Sequence, residues 1–190
     1  MKVLGISGSP RRGGNTDLLL DAVMRGAASR GAAVKTIILN DLDIAPCQHC
    51  DACLKTGNCK FMDDMQMVYR ELEEADRIVL ASPLHFMGLT AQMKTMIDRC
   101  QALWARKYVL KIPPLGKGRQ KKGLFISVGG RKVANLFDAA LTTVNSLFYV
   151  LDITYTGALL YPGIDEKGAI ARHPTALQDA FLAGQKLVEE

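Results

Sequence analysis

Two hydrophobic rhythms alternate along the chain. Short, nearly continuous apolar runs occupy residues 3–6, 33–39, 77–81, 122–128 and 153–160. Their length and enrichment in Val, Ile and Leu predict strands, and continuous apolarity is expected of a sheet covered on both faces. Between them apolar residues recur at spacings of three and four. Leu18, Leu19, Ala22 and Val23 mark a helix over residues 16–30, closed by Gly31. Met65, Val68, Leu72 and Ala75 mark a second, with Asp63 and Gln66 placed to form a capping box. Met93, Met96, Ile97, Cys100 and Trp104 predict a single helix over roughly 90–105. Leu136, Phe137, Ala140, Val144 and Leu147 predict another, and Leu177, Phe181 and Leu187 a closing helix with Pro174 in its first turn. Five strands alternating with five helices imply an α/β, doubly wound, three-layer sandwich whose five-stranded parallel sheet has the order 2-1-3-4-5. With no internal repeat or linker, residues 1–190 read as one domain, carrying a cysteine-rich insertion at about 46–60.

In such a fold ligands sit outside the carboxyl ends of the strands. Three loops with special composition leave those ends, at 7–16, 82–88 and 127–131. The first reads Ser7-Gly8-Ser9-Pro10-Arg11-Arg12-Gly13-Gly14-Asn15-Thr16 and runs from a strand into a helix start. Small residues let the backbone curl near an anion, helix-start amides can donate to it, and Ser9, Asn15 and Thr16 add side-chain donors. Arg11 adds a forked cation. The loop has neither the Gly-Lys-Ser/Thr ending of a triphosphate loop nor the three-glycine dinucleotide spacing, so a single terminal phosphate suits it better. The second loop brings an apolar, aromatic-bearing turn, and the third a glycine pair on which a flat ring can lie. Flavin mononucleotide (FMN) fits the trio.

Composition narrows the class further. The chain has 48% hydrophobic and 23% charged residues and a formal charge of +5, values of a globular protein. No apolar run is long enough to span a membrane, and Gly5, Ser7, Gly8, Ser9 and Pro10 interrupt the N-terminal apolar stretch, so a cytoplasmic protein is expected. The basic residues are scattered apart from Lys117, Arg119, Lys121 and Lys122, a cluster that suits a solvated loop, the commonest case, a phosphate-attracting patch or a surface for an acidic partner. No aromatic interleaving suggests nucleic acid.

Four of the five cysteines, Cys47, Cys50, Cys53 and Cys59, fall within thirteen residues. In a chain of this kind that density points to metal or redox chemistry rather than to a disulfide scaffold. Two short spacings followed by a longer return suit a [4Fe–4S] cluster; the same thiolates would satisfy tetrahedral zinc. Gly57 and Asn58 supply a tight turn before Cys59 in either case. Cys100 lies on the buried stripe of its helix and reads as core.

Gly-Ser-Pro-Arg followed by Gly-Asn-Thr, the run Ala75-Asp76-Arg77-Ile78-Val79, Ser82-Pro83 with an aromatic shortly after, and Lys94-Thr-Met-Ile-Asp98-Arg99 together resemble the NAD(P)H-dependent FMN reductases of flavodoxin-like fold. Within these the chain most resembles the iron–sulfur flavoproteins, which carry a compact cysteine segment where Cys47 to Cys59 lies. The likeness is good over residues 1 to about 130. It implies an FMN phosphate on Ser9, Arg11, Asn15 and Thr16. It implies an isoalloxazine against Pro83, Leu84, His85, Phe86 and Gly88, and against the third loop with Ser127, Gly129 and Gly130. It also implies NAD(P)H as co-substrate and a homodimer or homotetramer with flavin near a subunit interface. His85 stands where many relatives have tyrosine, and His49 where relatives often have glycine. Relatives that bind flavin alone keep much of the cysteine pattern, which leaves a third reading for the four thiols.

The expectation is therefore an FMN-dependent oxidoreductase of the iron–sulfur flavoprotein kind, moving electrons between NAD(P)H or a reduced carrier and an acceptor. The alternatives are a cluster-free NAD(P)H-dependent FMN or quinone reductase, and a flavodoxin-like electron carrier whose partner is another protein. Hydride transfer from a nicotinamide needs no acid–base side chain, and no catalytic residue is singled out.

Overall fold

A computed structural model of the chain describes residues 1–116 and 120–189. Its strands, in chain order, are β1 (Lys2–Ser7), β2 (Ala33–Ile38), β3 (Arg77–Ala81), β4 (Leu84–His85), β5 (Gly88–Leu89), β6 (Lys121–Gly129) and β7 (Ile153–Pro162). The five longer ones form a parallel sheet in the order β2-β1-β3-β6-β7, the predicted 2-1-3-4-5 arrangement once the two short strands are set aside. Its helices are α1 (Asn15–Ser29), α2 (Ala52–Thr56), α3 (Met65–Glu74), α4 (Ala91–Arg99), α5 (Gln101–Tyr108), α6 (Asp138–Val150) and α7 (Ala176–Glu189).

Because side chains alternate across a strand, each central strand feeds two cores. Leu4, Ile6, Ile78, Leu80 and Phe125 point to one face, where Met65, Val68, Leu72, Met93, Met96, Val144 and Leu147 close over them. Val3, Val79, Ala81, Leu124, Ile126 and Val128 point to the other, under Leu19, Leu20, Val23 and Ala27 of α1 and Ala180 and Leu187 of α7. Every residue of β3 is buried, as its unbroken apolar run predicts. Arg77 opens that strand and keeps its charge satisfied by donating from Nε to Leu187 O at the end of α7, 2.8 Å away, where a cation also suits the helix dipole.

Helices α1 and α7 cross with almost no space between their backbones. A Cβ added at Gly26 would lie 2.0 Å from Phe181 O, and one at Gly184 would lie 2.0 Å from Val23 O. Only hydrogen fits at either position.

Three local readings differ from the structure. The helix expected over 90–105 is two, joined at Cys100, whose ψ of 1° takes it out of the helical region. The buried stripe runs through the joint, so periodicity gave no sign of it. The capping box at α3 is absent: the Asp63 carboxylate accepts from Met65 N but also from Ala45 N and Arg99, while Gln66 Nε2 donates to Phe61 O. Residues 84–89, read as loop, form a two-stranded hairpin. Of the basic cluster, Lys117 and Arg119 lie outside the described residues; Lys121 donates to Glu73 O and Ala75 O. Among the described residues no helix is long and apolar enough to cross a membrane.

Candidate functional site

The loops leaving β1, β3 and β6 are sewn together beneath their tips by short hydroxyl side chains. Gly8 N donates to Ala81 O (2.8 Å). Thr90 Oγ1, at the cap of α4, donates to Gly8 O (2.7 Å) while accepting from Met93 N. Ser82 Oγ accepts from Thr90 N, and Ser127 Oγ donates to Ser82 O (2.8 Å). Ser82, Thr90 and Ser127 have no exposed surface. These bonds join all three loops at a depth where water cannot compete, so the loop tips are held before any ligand arrives.

Within the first loop the chain folds on its own side chains. Ser9 Oγ accepts from Arg11 N (3.2 Å) and donates to Arg11 O (3.0 Å), a serine turn that tightens residues 9–11. Asp17 reaches back from α1 to accept from Ser7 Oγ (2.6 Å) and Gly13 N (2.9 Å). Gly13 has φ +62°, which glycine adopts freely. The result is a loop that arches over the start of α1, whose first amides have no acceptor within the helix.

A cavity open to solvent lies there, at the carboxyl ends of the central strands. Of the sequence-predicted residues it gathers Ser9, Arg11, Asn15, Thr16, Pro83, Leu84, His85, Gly129 and Gly130. Phe86, Gly88 and Ser127 are not among its lining residues. Ser127 is buried beneath it as a stitch. Gly88 pairs with His85 in the hairpin, and Phe86 sits at the hairpin tip, wholly exposed. Phe86 and Met87 have φ +51° and +62°, a two-residue turn with both central positions left-handed, for which Asn-Gly is the usual chemistry.

Asn15 is already engaged. Its Nδ2 donates to Glu166 O (2.9 Å) and its Oδ1 accepts from Ile170 N (3.1 Å). Those partners belong to the loop after β7, which contributes Ile164, Asp165 and Lys167 to the cavity. Sequence reading missed this fourth wall. The available signal was the topology rule itself, since β7 also ends on this side and turns at Gly163.

One atom in the cavity wall is conspicuously unsatisfied. Thr16 is 1% exposed and its Oγ1 has no hydrogen-bond partner. A buried hydroxyl without a partner costs about 1–3 kcal/mol. Set beside the free helix-start amides and Arg11, it is a donor in position for an anion.

The sequence profile of the family described as NADPH-dependent FMN reductase matches residues 1–157. The chain belongs to this family. An iron–sulfur flavoprotein of Archaeoglobus fulgidus is 37% identical over 150 residues, covering 79% of this chain and 72% of that protein. One from Methanocaldococcus jannaschii is 42% identical over 103 residues, 54% of this chain and 53% of its own length, so the match spans about half of that relative. Among solved structures, an NAD(P)H:quinone oxidoreductase from Methanothermobacter marburgensis superposes with a TM-score of 0.76 at 14% identity, covering 98% of this chain and 96% of that one. As a member of the FMN reductase family with this sandwich, the protein is an FMN-dependent oxidoreductase.

The cysteine segment corrects the sequence expectation. Among the described residues no group of three or more His, Cys, Asp or Glu side chains is placed to hold a metal ion. The expected [4Fe–4S] cluster on Cys47, Cys50, Cys53 and Cys59, and with it the zinc alternative, is overturned. The four cysteines line one hollow with Phe61 and Arg99 without forming such a group. His49 and Asp51, on either side of Cys50, are both left-handed, and Cys50 is exposed, whereas Cys47, Cys53 and Cys59 are half-buried. Burial, with lesser contributions from the neighbouring cysteines, raises the Cys53 thiol above its ordinary pKa.

Protein groups brace this segment instead. At its start Arg99, with no exposed side-chain surface, donates to Ala45 O (2.7 Å) and to both oxygens of Asp63, and lies over the Phe61 ring. Burial would raise the Asp63 pKa, but the bonds from Arg99 and from Ala45 N and Met65 N outweigh it and hold the carboxyl below its usual range. At its end Arg106 donates to Gly57 O (2.9 Å), Asn58 Oδ1 (2.8 Å) and Glu73. Gly57, at φ +72°, makes the turn expected before Cys59. Cys100 is core, as its position on the stripe predicts, and burial pushes its thiol up to about 12.

Proposed function

We propose that the protein binds one FMN per chain in the cavity at the ends of β1, β3 and β6 and uses it to pass reducing equivalents from NAD(P)H to a small-molecule acceptor of the quinone class. The observation that carries this is the buried, unpartnered Thr16 Oγ1, on a residue that lines a cavity together with Arg11 and the start of α1. Bound FMN would supply the hydride-accepting ring, with NAD(P)H as donor.

The chain's own residues supply placement. Arg11 and Thr16 stand beside the position of a terminal phosphate with the α1 amides behind them, while Ser9, whose hydroxyl donates to Arg11 O, shapes the loop around it. Pro83, Leu84 and His85 form one wall for the ring. Gly129 and Gly130 form another, and a side chain at either would press on a neighbouring side chain. A Cβ at Gly129 would come within 2.9 Å of Leu136, and one at Gly130 within 3.1 Å of Asp165. The sewn loop bases keep these walls rigid, so ordering costs are met on folding rather than on binding. The quinone-reductase reading is favoured over an iron–sulfur relay because, among the described residues, no group of thiols is placed to hold a metal. A flavodoxin-like carrier would bind FMN without oxidising NAD(P)H.

The test is a fluorescence titration of the flavin-free protein with FMN, followed by steady-state oxidation of NADH and NADPH with a soluble quinone. Quenching at one FMN per chain and quinone-dependent nicotinamide oxidation are expected. Quenching without nicotinamide oxidation would move the protein to the carrier class, and absence of quenching would remove the flavin reading altogether. We further propose a homodimer or homotetramer, supported by the exposed Phe86 on its left-handed turn beside the cavity. Sedimentation of the FMN-loaded protein should show at least a dimer at micromolar concentration, and a monomer would reject the assembly.

A further inference from the structure

The loop after β7 is pinned at several points. Gly163 N donates to Arg131 O and Ile164 N to Gly129 O, each at 3.0 Å, which fastens its start to the β6 loop. Gly163 has φ +77°, and the stem of Lys132 lies where a Cβ would stand, 2.4 Å away at Cε. Residues 166 and 170 are then fastened to the first loop by the two bonds of Asn15. Residues 163–170 thus bridge two of the proposed flavin loops.

That bridge brings one carboxylate, Asp165, and one ammonium, Lys167, to the cavity. The first loop offers Arg11 to an anion; Arg12 is paired with Asp41. Two carboxylates oppose it. Asp17 lies beneath the loop, and Asp165 lines the cavity against Gly130. A phosphate monoester carries about −1.5 to −2 charges at neutral pH. Arg11 alone would leave it uncompensated among acidic neighbours. Lys167 lines the same cavity, whereas Glu166 beside it is turned to Arg172 at 2.7 Å.

We infer that Lys167 is a second cation for the terminal phosphate of the flavin, and that Asn15 is a positioning residue that delivers it by tethering the loop 163–170. This rests on the flavin reading above. It assigns the cavity a preference for a phosphorylated flavin over riboflavin that comes partly from the far end of the chain. It also gives Asn15 a positioning role, since its amide oxygen and one of its two amide N–H groups hold residues 170 and 166.

The experiment compares FMN and riboflavin affinities, by quenching of flavin fluorescence, in wild-type protein, Lys167→Gln, Asn15→Leu and the double variant. Lys167 is exposed, so its replacement tests binding without threatening the fold. Lys167→Gln should weaken FMN about tenfold, the lower end of what a charge-assisted bond contributes, with riboflavin unchanged. Asn15→Leu should lower the FMN-to-riboflavin ratio similarly, and adding Lys167→Gln to it should lower the ratio little further. Losses that multiply would mean that Asn15 meets the phosphate directly, overturning its positioning role. An unchanged ratio in Lys167→Gln, with wild-type protein binding FMN, would overturn the assignment of Lys167. Wild-type protein that binds neither flavin would instead remove the flavin reading on which it rests.

Discussion

The proposed flavin cavity and the cysteine segment are both irregular stretches of chain held in one shape, and they are held by opposite means. The cavity loops are fixed from within by Ser7, Ser9, Ser82, Thr90 and Ser127, short side chains bonding nearby backbone or one another. The cysteine segment is fixed from outside by Arg99 and Arg106, long side chains reaching across from α4 and α5. Each region keeps one buried polar atom without a partner, Thr16 Oγ1 and Arg99 Nε. Their settings differ. The guanidinium of Arg99 makes three other bonds and covers an aromatic ring, so its charge is answered by protein. The hydroxyl of Thr16 has no such company and opens on a cavity. An unsatisfied donor reads as a ligand site when it sits on a cavity wall beside free helix-start amides.

The largest effect expected from this contrast lies in stability. Arg99→Met leaves the Asp63 carboxylate without its cation and should cost about 3–5 kcal/mol, the range for breaking a buried pair. Urea unfolding measures it, and a cost within the scatter of surface variants would show that the segment needs no brace. Acid should reveal the same pair. The folded Asp63 pKa lies below its unfolded value. Its contribution is therefore fully present above about pH 4 and lost as pH falls through the folded value. Asp63→Asn should flatten the acid limb of stability against pH; an acid limb as steep as in wild-type protein would clear Asp63 of that role.

Smaller and confined to the other region is the effect of Thr16→Val. FMN affinity should fall about tenfold, as expected for one hydrogen bond to a charged group, while the urea midpoint holds or rises slightly. A fall in stability without a fall in affinity would make Thr16 a structural residue. The least effect is expected for Cys53→Ser. With no shared metal, FMN affinity and nicotinamide oxidation should stay within about twofold, the scatter normal for distant, independent sites. A large loss of flavin on that substitution would tie the two regions together.

The sheet was legible because its evidence is local and redundant. The run from Arg77 to Ala81 announced a strand covered on both faces, and five such runs between periodic segments leave few topologies. The first loop was legible too, since small residues and hydroxyls before a helix have few other uses. The hairpin was hidden because its strands are two residues long and its turn is Phe86-Met87, without the glycine that usually marks a left-handed turn. The tether from Asn15 was hidden because it joins residues more than 150 positions apart. Spacing misled at the cysteines. It reports how much chain separates two thiols but not where they point, and left-handed His49 and Asp51 flank the one that reaches the surface.

The glycine crossing of α1 and α7 sets an order of events at synthesis. Residues 15–29 leave the ribosome early, yet the face they bury is met by residues 176–189. Until that last helix emerges, Leu19, Leu20 and Val23 have no cover from it, and the loop bridging to Asn15 has not been made. At about 5–20 residues per second the wait is on the order of ten seconds. A nascent chain would spend that interval with the α7-facing stripe of α1 uncovered by α7.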